Sequence, residues 1–359
     1  MDVLLGRFFL YLNPTRHYIH SRYKMNKISY IHDIRGLAAL FIVMIHCNIF
    51  HVENNGFNFI WSHFLKEWTA VFVLVSGFLF QLLIDRYKFN KFIYSKFKNV
   101  IAPYLIISIP AIALYIFEIK KDHAWLDLNS LMSHSYIYII SFFYTTGSHL
   151  GPLWFIPVIC LIFLTSKPLV ALQKNKKLFL ITSLISLVLI LATKRPVNDS
   201  NPFVSYIHFL PVYIIGMLIC QHKDLLTMQK HKIKYLSVFL FLFSLEIIFN
   251  LNSSFSILSK IVLFLFLCSF FSHMEERGYK FKILSFLADI SFTLYFLHGY
   301  FVGALRIMLS RHNNMIIEDN SLLSISMSIA STVVIITLIS IIYLIIKKIT
   351  PNSRLIIGS

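Results

Sequence analysis

Apolar runs of about 20 residues recur along the whole chain, and they constrain its fold more than any other feature of the sequence. A run of that length crosses the hydrocarbon core of a bilayer as an α-helix, which supplies every backbone N–H and C=O with an internal partner. We identify ten runs, with approximate bounds 33–52, 67–85, 99–118, 150–166, 178–193, 203–220, 235–251, 255–273, 283–309 and 322–346. The sequence therefore predicts an all-α, polytopic integral membrane protein with about ten transmembrane helices.

The composition agrees with a membrane protein and argues against other classes. Hydrophobic residues make up 57% of the 359 residues and charged residues only 14%, whereas soluble domains carry roughly a quarter charged residues. The net charge of +17 would suggest a nucleic-acid partner in a soluble protein. Here the basic residues lie in short loops between apolar runs, so we expect no nucleic-acid partner. The four cysteines show no metal-ligand spacing, and we expect no metal.

The Lys and Arg residues also predict the orientation in the membrane. With the N-terminus in the cytoplasm, the inner segments hold 24 of them and the outer segments hold 6. Cytoplasmic loops carry an excess of Lys and Arg. We therefore expect both termini in the cytoplasm.

Three parts of the chain are distinguished by composition. Residues 1–27 form a basic segment that is either an interfacial helix or a stretch preceding a true start at Met25. Residues 28–346 form one membrane domain, in which the apolar stretch 136–146 is too short to cross and is expected to be re-entrant or interfacial. Residues 347–359 form a basic cytoplasmic tail.

The first apolar run contains Arg35 and His46, two residues that are costly in a bilayer and usually functional there. Eleven helical steps return to nearly the same face, so both side chains project from one side about 16 Å apart along the axis. A snorkelling Arg and a packed His would give the same pattern. The alignment equally suits a fixed cation near the cytoplasm and a titratable imidazole deeper in the membrane.

Other polar residues accompany this pair. Ser291, Tyr295 and His298 are spaced to share one helical face, which could orient a polar ligand or serve only to join helices by hydrogen bonds. Four further candidates stand elsewhere: Ser76 beside Gly77, Lys96 and Lys98 before a kink at Pro103, and Trp154 between two prolines.

Taken together, five segments in order resemble acyltransferase family 3, a family of bacterial membrane proteins. These segments are "IHDIRGLAALFIVMIHC", "VSGFLF", "KFKNVIAPYL", "LWFIPV" and "ISFTLYFLH". They match at Asp33, Arg35, Gly36, His46, Ser76, Gly77, Phe78, Lys96, Pro103, Tyr104, Leu153, Trp154, Phe155, Ser291, Tyr295 and His298. Two positions depart from the family: Val100 replaces an Arg, and Pro152 stands where a His is frequent, with His149 nearby.

The resemblance implies an O-acyltransferase of the bacterial cytoplasmic (inner) membrane, and residues 28–346 become its membrane acyltransferase domain. It would move an acyl group, usually acetyl, from acetyl-CoA to a hydroxyl of a glycan or lipid-linked saccharide such as O-antigen, capsule or exopolysaccharide. Acetyl-CoA is the donor substrate, and no bound cofactor is expected.

We assign roles on this basis. Arg35 and His46 are the catalytic candidates. Arg35, Lys96 and Lys98 would hold the CoA phosphates, and Asp33, also assigned to the donor site, would orient a neighbouring cation. His46 would be the general base, and Ser76, Trp154, Ser291, Tyr295 and His298 are candidates for the acceptor or the oxyanion.

Several alternatives stay open at this point. Acyl transfer could be direct or could pass through a covalent acyl-enzyme at His46, Ser76 or Ser291, and the acceptor could be met at the outer face. A secondary transporter or flippase of envelope precursors would also have many spans and buried polar residues, and a sensor or scaffold without catalysis is a third class. The oligomeric state is not readable from the sequence.

Overall fold

The structure is a computed structural model that describes residues 29–50, 56–193, 201–311 and 321–359. Within these ranges all regular structure is helical, which confirms the all-α prediction. The basic segment 1–27 lies outside the described residues. The α-helices are α1 (Ser29–Cys47), α2 (Gly56–Leu65), α3 (Trp68–Leu82), α4 (Phe89–Lys96), α5 (Ala102–Ile116), α6 (Leu128–Met132), α7 (Tyr136–Thr146), α8 (Phe155–Leu164), α9 (Ser166–Lys174), α10 (Lys176–Ala192), α11 (Pro202–Gln221), α12 (Lys223–Leu226), α13 (Lys232–Ile248), α14 (Ser253–Glu276), α15 (Lys282–Asp289), α16 (Ser291–Arg311), α17 (Ser321–Ile349) and α18 (Ser353–Ile357).

Seven helical stretches in the described part of the chain are long and apolar enough to cross a membrane. An eighth candidate is the pair formed by α7 and the stretch 151–164, which is bent by 76° as a broken span or re-entrant loop. The remaining two of the ten predicted runs form α10 and α13, with 17 residues each, or about 26 Å at 1.5 Å per residue. The chain is a helical, multi-pass membrane protein, while the count of ten and the cytoplasmic termini stay predictions.

The second span differs from its predicted bounds of 67–85. It begins at Gly56, because the segment 56–65, expected as an outer loop, is the helix α2 leading into α3. The two helices meet at Glu67, whose φ of 61° places it in the left-handed region.

Hydrogen bonds at the two ends of α1 define the two ends of the bundle. At the Tyr30 end, the backbone N–H of Tyr30 donates to Glu275 of α14 at 3.3 Å. At the Asn48 end, the Asn48 amide donates to Ser62 of α2 at 3.0 Å, and the hydroxyl of Ser328 of α17 donates to the Asn48 amide oxygen at 3.2 Å. The α1 helix therefore runs from one polar end of the bundle to the other.

Two glycines bring α3 and α11 into backbone contact. A Cβ on Gly77 would lie 2.1 Å from the carbonyl oxygen of Tyr213, and a Cβ on Gly216 would lie 2.3 Å from that of Leu74. Small residues allow this close approach in membrane helices. The approach explains why Gly77 stands in the second span.

The kink predicted at Pro103 is a π-helical turn over Phe97–Ile101, between α4 and α5. Proline has no N–H and its ring clashes with the carbonyl four residues earlier, so the α-helical ladder is interrupted before it. Lys98 lies within this turn.

The predicted span 283–309 is broken into α15 and α16 at Ile290. The segment predicted as a basic tail contains the end of α17 and the short helix α18, with Ile357 only 2% exposed. The Thr293 hydroxyl of α16 donates to the carbonyl of Ile357 at 3.1 Å. Residues 353–359, here named the C-terminal strap, thus pack beside the first turn of α16.

Candidate active site

The break between α15 and α16 creates a binding point for Arg35. Helix ends leave carbonyls without helical partners, and the Ala288 carbonyl near the end of α15 accepts from the Arg35 Nη2 at 2.7 Å. The same carbonyl accepts from the Ser291 hydroxyl at 2.9 Å. Arg35 also interacts electrostatically with Asp289. The structure thus brings Arg35 and Ser291 together, as two donors on one oxygen.

Two further polar contacts join α1 to α15 beside Arg35. The Ser285 hydroxyl donates to the buried carboxylate of Asp33 at 2.6 Å. His32 Nε2 lies 3.1 Å from the Asp289 carboxylate. Asp289 partly balances the Arg35 charge, and the Ala288 carbonyl holds the guanidinium. Asp33 was predicted for this site, whereas His32, Ser285 and Asp289 were given no role by the sequence.

Lys96 stands close enough to Arg35 for the two positive charges to repel each other. Its ammonium lies over the rings of Phe92 and Phe163, 5.2 Å and 4.7 Å from their centroids. Cation–π contact of this kind offsets part of the cost of holding a half-buried ammonium. The Tyr30 end therefore holds Arg35 and Lys96 as a concentrated positive site, and Lys98 follows Lys96 on the π turn.

A narrow cavity lies beside α1 between the levels of Arg35 and His46. On the α1 side it is lined by Ala39, Ile42 and Val43, and Ser291 and Tyr295 of α16 line the opposite wall. Phe72 of α3 completes the lining. In the state described, the cavity has room for about one water molecule. It follows the face on which Arg35 and His46 are aligned.

One helical turn beyond Ile42, the imidazoles of His46 and His298 are paired, with ring centroids 5.1 Å apart and ring planes inclined by 46°. His298 is fully buried, and its Nδ1 lies 2.8 Å from the carbonyl oxygen of Leu294. A carbonyl only accepts, so Nδ1 carries the hydrogen and the neutral ring has its lone pair on Nε2. Within the described residues this Nε2 has no hydrogen-bond partner. His298 is therefore fixed as a proton acceptor beside His46.

Tyr295 connects this centre to the bent loop between α7 and α8. Its hydroxyl donates to the carbonyl of Pro152, and its ring lies 5.9 Å from that of His298. Gly299, one residue after His298, is in contact with the loop, because a Cβ there would lie 2.9 Å from Leu150. The loop thus covers the face of α16 that carries His298.

Two predicted candidates take other positions. The Ser76 hydroxyl donates to the carbonyl of Phe72 in its own helix at 2.9 Å, which favours a structural role. Trp154 packs on Phe209 with centroids 5.6 Å apart. It adjoins the Pro152 loop and is not in the cavity lining.

His149, near the departure at Pro152, is 1% exposed and also has its Nδ1 bonded to a backbone carbonyl, that of Phe143, at 3.0 Å. Its ring lies 5.9 Å from that of Tyr104. Val100, at the other departure, is a buried apolar residue on the π turn. Neither position contributes to the cavity lining.

The site contains no cluster of three or more potential metal ligands within the described residues. In comparisons with known proteins, a family model described as an acyltransferase domain matches residues 28–344. No curated protein and no solved structure matches the chain.

Proposed function

This chain belongs to acyltransferase family 3, and from that premise we propose that it transfers an acyl group from acyl-CoA, acetyl-CoA in particular, to a hydroxyl of a cell-envelope saccharide. The positively charged Tyr30 end receives the donor. Arg35 offers a planar fork to a phosphate, and Lys96 and Lys98 offer point charges. The acceptor comes from the opposite end, where α1 reaches Asn48.

One observation carries this proposal: a small, mainly apolar cavity lies against α1 at Ala39 and Ile42, on the face that Arg35 and His46 share and between the levels of those two residues. The pantetheine arm of CoA is thin, and its length is comparable to the separation of about 16 Å between the two residues. The cavity lining is mainly apolar, which suits a thioester and excludes water. Widening of the cavity between α1 and α16 would admit the arm.

His46 takes the proton of the acceptor hydroxyl as this oxygen attacks the thioester carbonyl. In neutral His298 the lone pair on Nε2 can accept the N–H of one ring nitrogen of His46, which leaves the other ring nitrogen of His46 as the acceptor for the saccharide proton. The C–S bond then breaks, and the same proton passes to the departing CoA sulfur. The products are the saccharide ester and CoA thiol, and the histidines return to their starting state.

Arg35 and Ser291 both donate hydrogen bonds to the Ala288 carbonyl of α15, so a shift of one side chain would affect the other. Arg35 binds the donor, and Ser291 and Tyr295 line the cavity between the cation and the histidines. We place the protein in the bacterial cytoplasmic membrane with both termini in the cytoplasm, so that the donor is met inside.

The test is release of CoA thiol from acetyl-CoA by the purified protein, with the total saccharide fraction of the native membranes as acceptor. Wild type is compared with His46→Gln and with Arg35→Lys. We expect acceptor-dependent release by wild type, a loss of at least a hundredfold in His46→Gln, and a higher KM for acetyl-CoA in Arg35→Lys, because a point charge replaces a fork.

A matched control is His231→Gln, a histidine of the loop before α13 that is remote from the cavity lining. It should retain wild-type release. Saccharide flux without thiol release would favour a transporter, and full activity in a folded His46→Gln protein would remove the base from the mechanism.

A further inference from the structure

The helix α2 has its apolar side chains outward and a polar side chain inward, as expected of a helix embedded in a membrane. Its apolar residues Phe57 and Ile60 are 67% and 42% exposed, whereas Asn58 is 3% exposed. Polar residues in membrane proteins face the bundle interior or a water-filled cavity. The polar side of α2 therefore faces inward, towards α1 and α17.

This inward side lies at the Asn48 end, two residues beyond His46. Asn58, Trp61 and Ser62 share one helical face through their spacing of three and four. Ser62 contacts Asn48 at 3.0 Å, and Ser328 of α17 contacts the same Asn48 at 3.2 Å. The polar faces of α2 and α17 therefore converge at the end of α1.

Several buried polar atoms of α2 and α17 have no hydrogen-bond partner among the described residues, His63 Nε2 of α2 among them, and three lie on the converging faces. They are the amide oxygen of Asn58, the indole N–H of Trp61 and the hydroxyl of Ser324. Ser324 is fully buried and precedes Ser328 by one helical turn. Buried polar atoms are nearly always paired, and each one left unpaired destabilises the fold.

We propose that the inward faces of α2 and α17 form the acceptor site, in which hydroxyl groups of a saccharide bind Asn58, Trp61 and Ser324. This inference rests on the proposed function and deepens it. It gives the acceptor a place on the Asn48 side of the histidine pair, opposite the donor.

The chemistry of the three atoms selects the ligand class. The Asn58 oxygen needs a donor, the Trp61 N–H needs an acceptor, and the Ser324 hydroxyl can do either. A sugar hydroxyl is at once a donor and an acceptor, so neighbouring hydroxyls of one saccharide can form hydrogen bonds with all three atoms. A carboxylate or phosphate only accepts and would leave the Asn58 oxygen unpaired, while an alkyl chain would leave all three unpaired.

The experiment uses Asn58→Leu and Ser324→Ala in the full chain, with Ser340→Ala as the matched control. Ser340 is on the same helix as Ser324 but its hydroxyl is bonded to the carbonyl of Ile336 in its own helix. Two quantities are measured: the rise in unfolding temperature on adding the native saccharide fraction, and the rate of transfer of radiolabelled acetyl to that fraction.

We expect both variants to show a smaller saccharide-dependent rise, and kcat/KM for the saccharide to fall about fivefold to tenfold, the effect of one neutral hydrogen bond. The KM for acetyl-CoA should not change. Because Asn58→Leu removes an unpaired polar atom, its unfolding temperature without saccharide should equal or exceed that of wild type.

Two results would overturn the site: a saccharide response in both variants equal to that of wild type, or no response in wild type. A lower unfolding temperature in Asn58→Leu with normal acceptor kinetics would show that the cluster only joins helices. A saccharide response reduced in the variants, but with no acetyl transfer by wild type, would keep the site and refute the proposed function.

Discussion

Gly36 lies where α1 and α15 pack backbone against backbone, directly beside Arg35. A Cβ at this position would lie 2.0 Å from the carbonyl oxygen of Leu284, whereas ordinary van der Waals contact begins at 3.4 Å. Gly36→Ala therefore forces the two helices about 1.4 Å apart. The Arg35–Ala288 hydrogen bond, now 2.7 Å long, would lengthen to about 4 Å and break.

The cost can be estimated from the contacts that are lost. A hydrogen bond to a charged group contributes about 1.5–3 kcal/mol, and a displacement of about 1 Å can reduce catalysis a hundredfold. We expect Gly36→Ala to lower acetyl-CoA-dependent transfer by about one to two orders of magnitude. An exposed helical Gly→Ala change would by itself stabilise a helix by up to about 1 kcal/mol, so a loss reports the contact and not helix propensity.

The assay is acetyl-CoA turnover by purified protein, with unfolding temperature measured in parallel. The control is Gly303→Ala on α16, where a Cβ meets no atom within 4 Å, and it should behave as wild type. Transfer by Gly36→Ala within twofold of wild type would refute the argument that backbone contact with α15 positions Arg35.

Three further predictions concern parts of the molecule outside the proposed catalytic centre. Lys260 is 1% exposed, and its ammonium is bonded to the Phe64 carbonyl at 2.8 Å. Glu246 and Glu67 also act on it electrostatically. Lys260→Met removes this charged hydrogen bond and should lower the free energy of unfolding by about 1.5–3 kcal/mol, and adding Glu246→Gln should recover part of it in thermal unfolding. Thr293→Val removes the hydroxyl that donates to the Ile357 carbonyl in the C-terminal strap. The rate of hydrogen exchange in residues 353–359 should then rise about fivefold, because one lost hydrogen bond costs about 1 kcal/mol. An unchanged rate would mean that other contacts hold the strap. Burial lowers the pKa of His123 below its ordinary 6.5. The unfolded chain then binds more protons than the folded chain, so the protection of residues 117–127 from hydrogen exchange should fall as the pH drops below about 6.5 and be kept above it. A His123→Gln protein with the same pH dependence would contradict this.

The face shared by Arg35 and His46 could be predicted from the sequence because it depends only on helical geometry. Eleven residues fix the relative direction of the two side chains within one helix, whatever packs around them. The same reasoning placed Ser291, Tyr295 and His298 on one face. The structure adds that this second face lies against the first, through the cavity and the histidine pair.

The partners of these residues could not be predicted, because they are backbone atoms or residues distant in sequence. The Ala288 carbonyl is available to Arg35 only because the predicted span 283–309 is broken at Ile290. Tyr295 stays a candidate for the acceptor or the oxyanion and lines the cavity, while the bond of its hydroxyl to the Pro152 carbonyl could not be read from the sequence. Sequence spacing predicts the helix face on which a residue lies and its depth in the membrane, but not its hydrogen-bond partner.

The inward face of α2 was missed for a related reason. Residues 53–66 contain no recognisable motif. Most residues of this stretch are apolar, so the sequence did not reveal the short helix 56–65, whose polar positions recur every three to four residues. The signal was present in the spacing of Asn58, Trp61 and Ser62. That spacing can be interpreted only with the structure, in which Asn48 contacts Ser62 and Ser328 contacts Asn48.

The central claim is that His46 and His298 act as one proton-transfer unit in acyl transfer. The most direct test is a double-mutant cycle with His46→Gln, His298→Gln and the double variant, measured as radiolabelled acetyl transferred from acetyl-CoA to the saccharide fraction. Residues that act as a unit are strongly non-additive. We predict that each single change removes at least a hundredfold of activity and that the double variant is hardly worse than either. Full activity in His298→Gln, or a double loss equal to the product of the two single losses, would contradict the account.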